Sequence, residues 1–181
     1  MRELERNPSH HHPELPVDLT WVGVVGRGRL GTALVASLRA AGYRVGEPAG
    51  RGEVPQGDAI ILCVPDAEIA AAAEVVAGAT PLVGHTSGAT PLGVLEPARR
   101  AGAELFGLHP LQSVTSEGAA LAGCGCAVAG SSARALETAE QIASRLGMSP
   151  FRVEDSQRAA YHAAASISSN FLVTLQAEAE A

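Results

Sequence analysis

WVGVVGRGRLGTAL, residues 21–34, joins a short apolar run to a glycine-rich turn. The run at residues 21–25 predicts a strand that is buried on both faces, and residues 30–41 have helical character up to Gly42. Between the two elements, residues 26–31 fit the spacing G-x-G-x-x-G. The spacing alone is weak evidence because glycine is common, but its position between a first strand and a first helix makes it strong. The stretch therefore predicts a turn that holds the pyrophosphate of a dinucleotide.

Each residue of this turn has an expected part in binding. Gly26 allows the tight turn, Gly28 lets the backbone approach the pyrophosphate, and Gly31 lets the helix pack closely on the strand. The start of the helix adds unpaired N–H groups and a favourable dipole, and the two arginines of the turn add positive charge. We therefore predict as cofactor-binding residues Gly26, Arg27, Gly28, Arg29, Leu30 and Gly31. The alternative is a glycine-rich turn that binds no ligand.

A second predicted strand, at residues 43–47, bears on which nicotinamide cofactor is bound. Glu47 at its end could bond the ribose 2′-hydroxyl and favour NAD. Arg51, four residues later, could instead hold a 2′-phosphate with help from Arg27, and Pro48 could turn the Glu47 carboxylate away. We expect NADP, with NAD as the alternative, and count both Glu47 and Arg51 among the cofactor-binding candidates.

The rest of the chain alternates strand and helix signals. Further strands are predicted at residues 59–64, 82–85, 104–108, 126–129 and 151–153, and helices at 67–77, 92–101 and 132–146. This alternation predicts βαβ units and an α/β fold of the Rossmann type, with a doubly wound, mostly parallel sheet. The link at 48–57 is too short for a full helix, so we expect an irregular crossover there. The chain is predicted to divide into a loose tail at 1–19 and a dinucleotide-binding domain at 20–153.

The residues after Asp155 have a different character. From Ser156 to Ala181 there is no Gly or Pro, and residues 163–175 are apolar on nearly every face. Such a helix is typical of the interior of a helical body or of an interface between subunits. We predict that residues 154–181 begin an all-α domain that is truncated here or supplied by another chain. The alternative is a solitary helix that docks on the sheet.

Composition excludes several classes of function. The formal net charge of −6 argues against a nucleic-acid surface. All 13 cations are arginine, so a Schiff-base lysine, a lysine acid and a P-loop lysine are excluded within this chain. No apolar run predicts a membrane span and no signal peptide is visible, so the cytoplasm is the expected compartment. Neither Cys124 with Cys126 nor the run at 10–12 predicts a metal site.

Two segments follow strands at the edge where ligands bind in open α/β sheets. Val64, Pro65 and Asp66 are predicted to pass beside the ribose and nicotinamide, with Asp66 more readily a helix cap than a catalytic acid. In the segment at 85–88, Ser87 could contact the nicotinamide amide or polarise the substrate, and His85 could be a site residue. The alternative is that residues 86 and 87 have no role in the site and simply shape a turn before Pro91.

The remaining catalytic candidates come from two later segments. His109, which Pro110 holds after a strand, would make a good proton donor because its unperturbed pKa lies near neutrality. The alternative is a histidine bonded structurally within a loop. His162 and Asn170 lie eight residues apart on the last helix and so share roughly one face. Because a buried amide needs partners, Asn170 could face a substrate, a cofactor or merely backbone. The catalytic candidates are therefore His109, Ser87, Asn170 and His162.

Four blocks of the chain resemble the Rossmann-like proteins that carry a DUF2520 helical domain. They are VVGRGRLGTAL at 24–34, HTSGA at 85–89, LHPLQ at 108–112, and YHAAA at 161–165, which leads to SNFL at 169–172. The resemblance covers roughly residues 21–181, and its later blocks are more specific than the glycine turn. Proteins of this family are described as similar to F420-dependent NADP oxidoreductases.

The resemblance implies an architecture akin to pyrroline-5-carboxylate reductase, ketopantoate reductase and prephenate dehydrogenase. In that architecture a helical C-terminal domain completes the active-site cleft and often dimerises. We therefore expect an NAD(P)-dependent oxidoreductase that transfers hydride between its cofactor and a small carbonyl or imine substrate, and that forms a homodimer. The alternative is a non-catalytic dinucleotide-binding or redox-sensing module that acts through its last helix.

Overall fold

Six strands form one sheet in the computed structural model, which describes residues 19–113, 121–168 and 178–179. The strands are neighbours in the sheet in the same order as in the sequence. Their bounds are β1 Val22–Val25, β2 Ala59–Leu62, β3 Leu82–His85, β4 Glu104–Pro110, β5 Gly125–Gly130 and β6 Ser149–Arg152. Neighbouring strands are parallel except β4 and β5, which run antiparallel. The prediction of a mostly parallel α/β sheet is confirmed.

The first three strands are short apolar runs in which every residue is buried. Such runs form strands that are covered on both faces, because no position needs to face water. Their register brings their carboxyl ends together: Val25 lies opposite Leu62, and Leu62 lies opposite His85. Gly107 of β4 lies opposite His85, so the residues after these four positions meet at one edge of the sheet.

Helices cover both faces of the sheet. One buried cluster includes residues of α1 Arg29–Ala40 and α4 Ala133–Arg145, and a second includes residues of α2 Ile69–Val75 and α3 Glu96–Arg100. Successive residues of β2 enter opposite clusters, Ile61 the first and Ile60 the second. Because side chains alternate along a strand, the two clusters lie on opposite faces, as in a doubly wound fold.

The strand predicted at residues 43–47 is not formed, so that prediction is wrong. The segment makes two isolated parallel bridges instead, one between Arg44 and Trp21, just before β1, and one between Ala49 and Val25 of β1. Gly46 has no side chain to pack and Pro48 has no N–H to donate, which interrupts a ladder. The irregular crossover expected at 48–57 is confirmed, because no helix lies between this segment and β2.

The helices predicted at 67–77 and 92–101 are shorter than expected and begin as 3-10 turns, at Asp66–Glu68 and Leu92–Leu95. Pro97 stands in the first turn of α3, and its missing N–H cannot extend an α-helical ladder backward. The cap expected at Asp66 is also wrong. Pro65 is the capping residue of that turn, and no side chain caps it.

The last described helix, α5 Arg158–Ser166, follows a 3-10 turn at Asp155–Gln157. It confirms the start of the helix expected after Asp155, whereas Asn170 and the tail at 1–18 lie outside the described residues. The division into domains at residues 153 and 154 stays a prediction. Within the described ranges, no helix combines the length and apolar character needed to cross a bilayer.

Candidate active site

The glycine turn follows β1, which has a different neighbour on each side. On one side β1 pairs with β2, and on the other it contacts the irregular segment 44–49, where the Gly26 N–H donates to the Ala49 carbonyl at 2.8 Å. In open α/β sheets the connections diverge at such a point, and ligands bind in the crevice outside the carboxyl ends of the strands. The turn therefore opens into the crevice that this fold offers to a ligand.

The three glycines of the turn differ in what their missing side chains would meet. Gly26 has a φ of +116°, and a Cβ there would overlap the Cys63 carbonyl. A Cβ at Gly31 would overlap the Gly26 carbonyl, so α1 packs directly on the turn. A Cβ at Gly28 would have no heavy atom within 4 Å. The chain itself therefore requires Gly26 and Gly31, while the space above Gly28 is open to a ligand.

The start of α1 is suited to an anion. Gly28 is its N-cap residue, no side chain caps the first turn, and that turn contains no acidic residue. The first N–H groups of a helix lack intrahelical acceptors, and the helix dipole favours negative charge beside them. The residues of this turn therefore fit the pyrophosphate of a dinucleotide.

A cavity of about 420 Å³ adjoins the turn. Gly26, Arg27 and the loop at 50–53 form one wall, and Val64, Pro65, Glu68 and one side of α2 up to Val75 form the other. The mixed apolar and charged lining is typical of sites that bind an organic group with a polar substituent. The cavity lies on the side of the turn where the adenosine part of a dinucleotide would extend.

Two exposed ion pairs stand at this cavity. Arg27 pairs with Glu53 at 2.6 Å, and Arg51 pairs with Glu68 at 3.0 Å, which links the two walls. The Gly50 N–H and the Arg27 guanidinium together hold the pKa of Glu53 below its usual range. Exposed ion pairs of this kind contribute little to stability, because water screens the charges. A phosphate group could therefore replace either carboxylate at small cost.

The structure separates the two residues that the sequence placed beside the ribose. Arg51 lines the cavity, two residues beyond the Ala49 bridge to β1. Glu47 does not line it: its side chain is 84% exposed and pairs with Arg39 of α1 at 2.7 Å.

The other cofactor-binding candidates also divide between lining and non-lining positions. Val64 and Pro65 line the cavity, whereas Asp66 is exposed outside it. In α1, Arg29 is exposed and Leu30 half-buried, and neither lines the cavity.

A second cavity, of about 680 Å³, lies between the end of β4 and α5. Its polar lining includes His109, Tyr161 and His162, and Leu111 and Phe151 supply an apolar wall. The ring centroids of His109 and His162 are 6.3 Å apart. Two of the four catalytic candidates are therefore brought together around one cavity at the carboxyl end of β4.

His109 is held by a hydrogen bond to Tyr161 of α5. The Nδ1 atom lies 2.7 Å from the Tyr161 hydroxyl, and the two rings meet edge to face with centroids 5.7 Å apart. Burial, followed by the nearby His162 and Arg158, lowers the pKa of His109 to about 4. Burial raises the pKa of Tyr161 to about 12. At neutral pH the imidazole is therefore uncharged and the phenol keeps its proton.

A buried arginine attaches α5 to the sheet. Arg158 is 2% exposed, and its guanidinium donates to Asp155 at 2.8 Å and to the Ser87 carbonyl at 3.3 Å. Asp155 in turn accepts from the Leu92 N–H at 3.2 Å. Gly107 leaves room for the guanidinium, because a Cβ at this position would lie 2.6 Å from one of its nitrogens. The position of Tyr161 one turn later depends on this attachment.

Ser87 serves the turn that follows β3. Its hydroxyl donates to Thr90 Oγ1 at 2.9 Å and accepts from the Thr90 N–H at 3.0 Å. The sequence left two interpretations of Ser87, a site residue or a turn-forming residue, and these contacts are those of a turn-forming residue. His85 accepts from the Ser87 N–H through Nδ1, and burial, with Arg158 nearby, lowers its pKa to about 4. His85 is therefore a neutral, fully buried residue beneath the site.

Sequence reasoning did not single out Arg158, Tyr161 or Gly88 as functional residues. A Cβ at Gly88 would lie 2.7 to 2.9 Å from three atoms of the His109 ring, so this glycine provides the surface on which that ring lies flat. Tyr161 lies in the block YHAAA at 161–165, in which His162 was the predicted catalytic residue. The only sequence signal for Arg158 was a cation at the start of an otherwise apolar helix.

Together, the mostly parallel sheet, the helices on both of its faces and the glycine turn after β1 define an α/β fold of the Rossmann type. The family model described as "Domain of unknown function (DUF2520)" matches residues 124–181, roughly the last third of the chain. This match confirms the resemblance to that family over the C-terminal segment. A comparison with curated proteins gave no match.

Solved structures share the fold at low sequence identity. A protein from Bacteroides fragilis, provisionally named an NADP oxidoreductase, is 21% identical with a TM-score of 0.74, covering 88% of this chain and 70% of its own. Pyrroline carboxylate reductase from Plasmodium falciparum, with NADP bound, is 10% identical with a TM-score of 0.64, covering 87% and 66%. Prephenate dehydrogenase from A. aeolicus, in complex with hydroxyphenyl propionate and NAD+, is 13% identical with a TM-score of 0.64, covering 79% and 63%.

Proposed function

We propose that the chain is the cofactor-binding part of an NADP-dependent oxidoreductase that transfers hydride between a nicotinamide and a small carbonyl or imine. The observation that carries this proposal is the glycine turn, in which Gly28 is open to a ligand while Gly26 and Gly31 are closed by the chain itself. Two of the solved structures that share the fold contain NADP or NAD+. The cofactor would supply the hydride, and the chain would bind and orient it.

The preference for NADP over NAD rests on charge at the first cavity. Arg51 stands just beyond the segment paired with β1, where proteins selective for NAD place an acid toward the ribose 2′-hydroxyl. Arg27 borders the same cavity, and guanidinium groups bind phosphate through paired hydrogen bonds. Glu47, the residue that could have favoured NAD, does not line this cavity. A 2′-phosphate would take the places of Glu53 and Glu68 as the partner of the two arginines.

His109 is our candidate for the group that acts on the substrate oxygen or nitrogen. It lines the second cavity, beside His162, at the edge of the sheet where the nicotinamide end of a cofactor would lie. Because its pKa is lowered to about 4, the imidazole acts at neutral pH as an uncharged hydrogen-bonding group. Ser87 would contribute through its carbonyl, which holds Arg158, since its hydroxyl is engaged by Thr90. Asn170 keeps its proposed role as a substrate-polarising amide.

The complete protein would bind its substrate between this domain and a helical C-terminal domain. The three solved proteins described above are longer than this chain. The chain spans 70% of the B. fragilis protein, 66% of pyrroline carboxylate reductase and 63% of prephenate dehydrogenase. The half-exposed Phe151 and exposed Ile167 border α5 and are available to such a domain or to a second copy in a homodimer. The three free cysteines support a reducing compartment such as the cytoplasm.

The cofactor preference is tested by calorimetric titration of the chain and of Arg51→Gln with NADPH and NADH. A hydrogen bond to a charged group contributes about 1.5–3 kcal/mol, so Arg51→Gln should bind NADPH roughly tenfold more weakly or worse, with its NADH affinity unchanged. Arg99→Gln is the matched control, because Arg99 is exposed and pairs with Glu96 away from the cavity. Equal loss for both nucleotides would contradict recognition of the 2′-phosphate by Arg51.

The reaction is tested by following NADPH consumption with a panel of small carbonyl and imine compounds. Turnover that His109→Gln abolishes would support the assignment of His109, and full turnover by that variant would reject it. Binding of NADPH without turnover on any compound would favour the non-catalytic module instead.

A further inference from the structure

We propose that Tyr161 is the positioning residue of His109: its hydroxyl donates to Nδ1 and thereby fixes the imidazole as the tautomer that carries its proton on Nε2. This inference rests on the proposed function, because it specifies how His109 would deliver a proton to a substrate. His109 and Tyr161 come from different parts of the chain, 52 residues apart, and meet at the wall of the second cavity.

The length of the hydrogen bond indicates which partner donates. The Nδ1 atom and the Tyr161 oxygen are 2.7 Å apart. Hydrogen bonds from O–H donors are typically about 2.7–2.8 Å long, whereas those from N–H donors span about 2.7–3.2 Å and centre on about 2.9–3.0 Å. The short distance therefore favours the phenol as the donor and the Nδ1 lone pair as the acceptor, which is the arrangement we propose. A neutral imidazole that accepts at Nδ1 carries its proton at Nε2.

The surroundings keep both partners in the required protonation states. His109 faces His162 and Arg158 on α5 and Asp66 in the 3-10 turn before α2, and burial, followed by the neighbouring His162 and Arg158, favours the neutral imidazole. Tyr161 faces Arg158, Cys124 and Cys126, and it keeps its proton to a pKa of about 12. The hydrogen bond between them is therefore intact across the neutral range.

The ring of His109 has little freedom to leave this arrangement. Its face lies on Gly88, and its edge meets the Tyr161 ring at an interplanar angle of 89°. Phe151 backs the tyrosine, with ring centroids 5.9 Å apart. With one ring nitrogen engaged by Tyr161, Nε2 is the nitrogen that remains for a substrate in the cavity.

The pair solves a chemical difficulty that a lone neutral histidine would have. When the carbonyl carbon receives hydride from a reduced nicotinamide, its oxygen must gain a proton. If His109 gave up its Nε2 proton unaided, an unstable imidazolate anion would remain. With Tyr161 in place, the Nε2–H bond breaks as the substrate O–H bond forms, while the tyrosine proton moves to Nδ1. The phenolate then takes the proton back from Nδ1 while Nε2 takes a proton from water and hydroxide leaves to the solvent, so the Nε2–H tautomer is restored and the imidazole stays neutral throughout.

The test is a long-range ¹H–¹⁵N correlation spectrum of the histidine side chains, recorded on the full ¹⁵N-labelled chain without nucleotide. In the wild-type chain we expect His109 as a single neutral tautomer with its proton on Nε2. In Tyr161→Phe, loss of the donor should give a mixture of tautomers and raise the His109 pKa from about 4, because the hydrogen bond to Nδ1 favours the neutral form.

Phe151→Leu is the matched control, because it removes an aromatic neighbour of Tyr161 and leaves the hydroxyl in place. This variant should keep the wild-type tautomer. A wild-type spectrum with the His109 proton on Nδ1 would overturn the proposal without any variant, as would a Tyr161→Phe spectrum identical to wild type. The NADPH titration is independent of this result, since Tyr161 does not line the first cavity, so failure of the cofactor assignment would be seen separately.

Discussion

The two cavities at the carboxyl edge of the sheet are built in different ways. The first, beside the glycine turn, is shaped by backbone: Gly26 and Gly31 allow a turn that packs on itself, and the walls come mainly from segments that follow β1 and β2. The second is shaped by side chains, and the contacts that define it, from His109 to Tyr161 and from Arg158 to Ser87, join residues 52 and 71 positions apart.

The first cavity is therefore formed by the sheet and its connections, whereas the second cavity also requires α5 to pack against them. The turn consists of six consecutive residues, and its contacts with Ala49 and Cys63 are made beside β1, within the sheet region. The second cavity depends on the buried Arg158, which joins α5 to the loops after β3. Disturbing the turn should therefore affect the whole domain, whereas disturbing Arg158 should affect the second cavity and leave the first in place.

The largest expected effect is that of Gly26→Ala on stability. Its Cβ would overlap the Cys63 carbonyl in a backbone conformation with φ of +116°, so both strain and crowding apply. Left-handed backbone costs about 1–2 kcal/mol and overpacking about 1–3 kcal/mol, which gives a loss of roughly 2–5 kcal/mol in the free energy of unfolding. Urea denaturation measures it, and Gly28→Ala, which meets no atom within 4 Å, is the control. Equal stability of the two variants would contradict the closed geometry of the turn.

Arg158→Met is expected to have a smaller and more local effect. It leaves the Ser87 carbonyl and the Asp155 carboxylate without their cation, at a cost of about 1–3 kcal/mol. Hydrogen exchange should quicken in α5 while α1 stays protected. Arg152→Gln is the matched control, because Arg152 pairs with Glu140 on the exposed surface, where solvent screens the pair, and its loss should leave stability nearly unchanged. Uniform loss of protection across α1 and α5 would show that the two regions are not separable.

The buried histidines should make stability depend on pH in a defined window. The pKa values of His85 and His109 are lowered from 6.5 to about 4, so the unfolded chain takes up their protons first as the pH falls. The free energy of unfolding should therefore be highest above pH 6.5 and decrease toward pH 4. Each histidine contributes a slope of at most about 1.4 kcal/mol per pH unit.

As the pH falls from 6.5 to 4.5, the histidines cause this loss of stability. The carboxylates with lowered pKa values, such as Glu53 and Glu104, take up protons at lower pH. Urea denaturation at several pH values measures it, and His109→Gln should reduce the slope. A stability that is flat across this window would contradict the burial of both rings.

The same contrast explains what the sequence could predict. The turn, the buried strands and the sheet type follow from patterns only a few residues long, and they were predicted. The prediction of a strand at 43–47 was wrong because Gly46 and Pro48 interrupt its pairing. The expected position of Glu47 beside the ribose depended on that strand, and Glu47 instead pairs with Arg39. Arg158 could not be foreseen because arginine is seldom buried unless it is paired, and its partners are set by the tertiary fold.

The central claim is that the turn at 26–31 binds the pyrophosphate of a nicotinamide dinucleotide. It is tested most directly by calorimetric titration of the full chain with NADPH, beside Gly28→Glu and Gly46→Glu. Neither glycine has a positive φ or a heavy atom within 4 Å of its missing Cβ, so both variants should fold, but only Gly28 lies at the turn. We predict that the wild-type chain and Gly46→Glu bind NADPH and that Gly28→Glu does not. A folded wild-type chain that binds neither NADPH nor NADH, or wild-type affinity in Gly28→Glu, would contradict the claim.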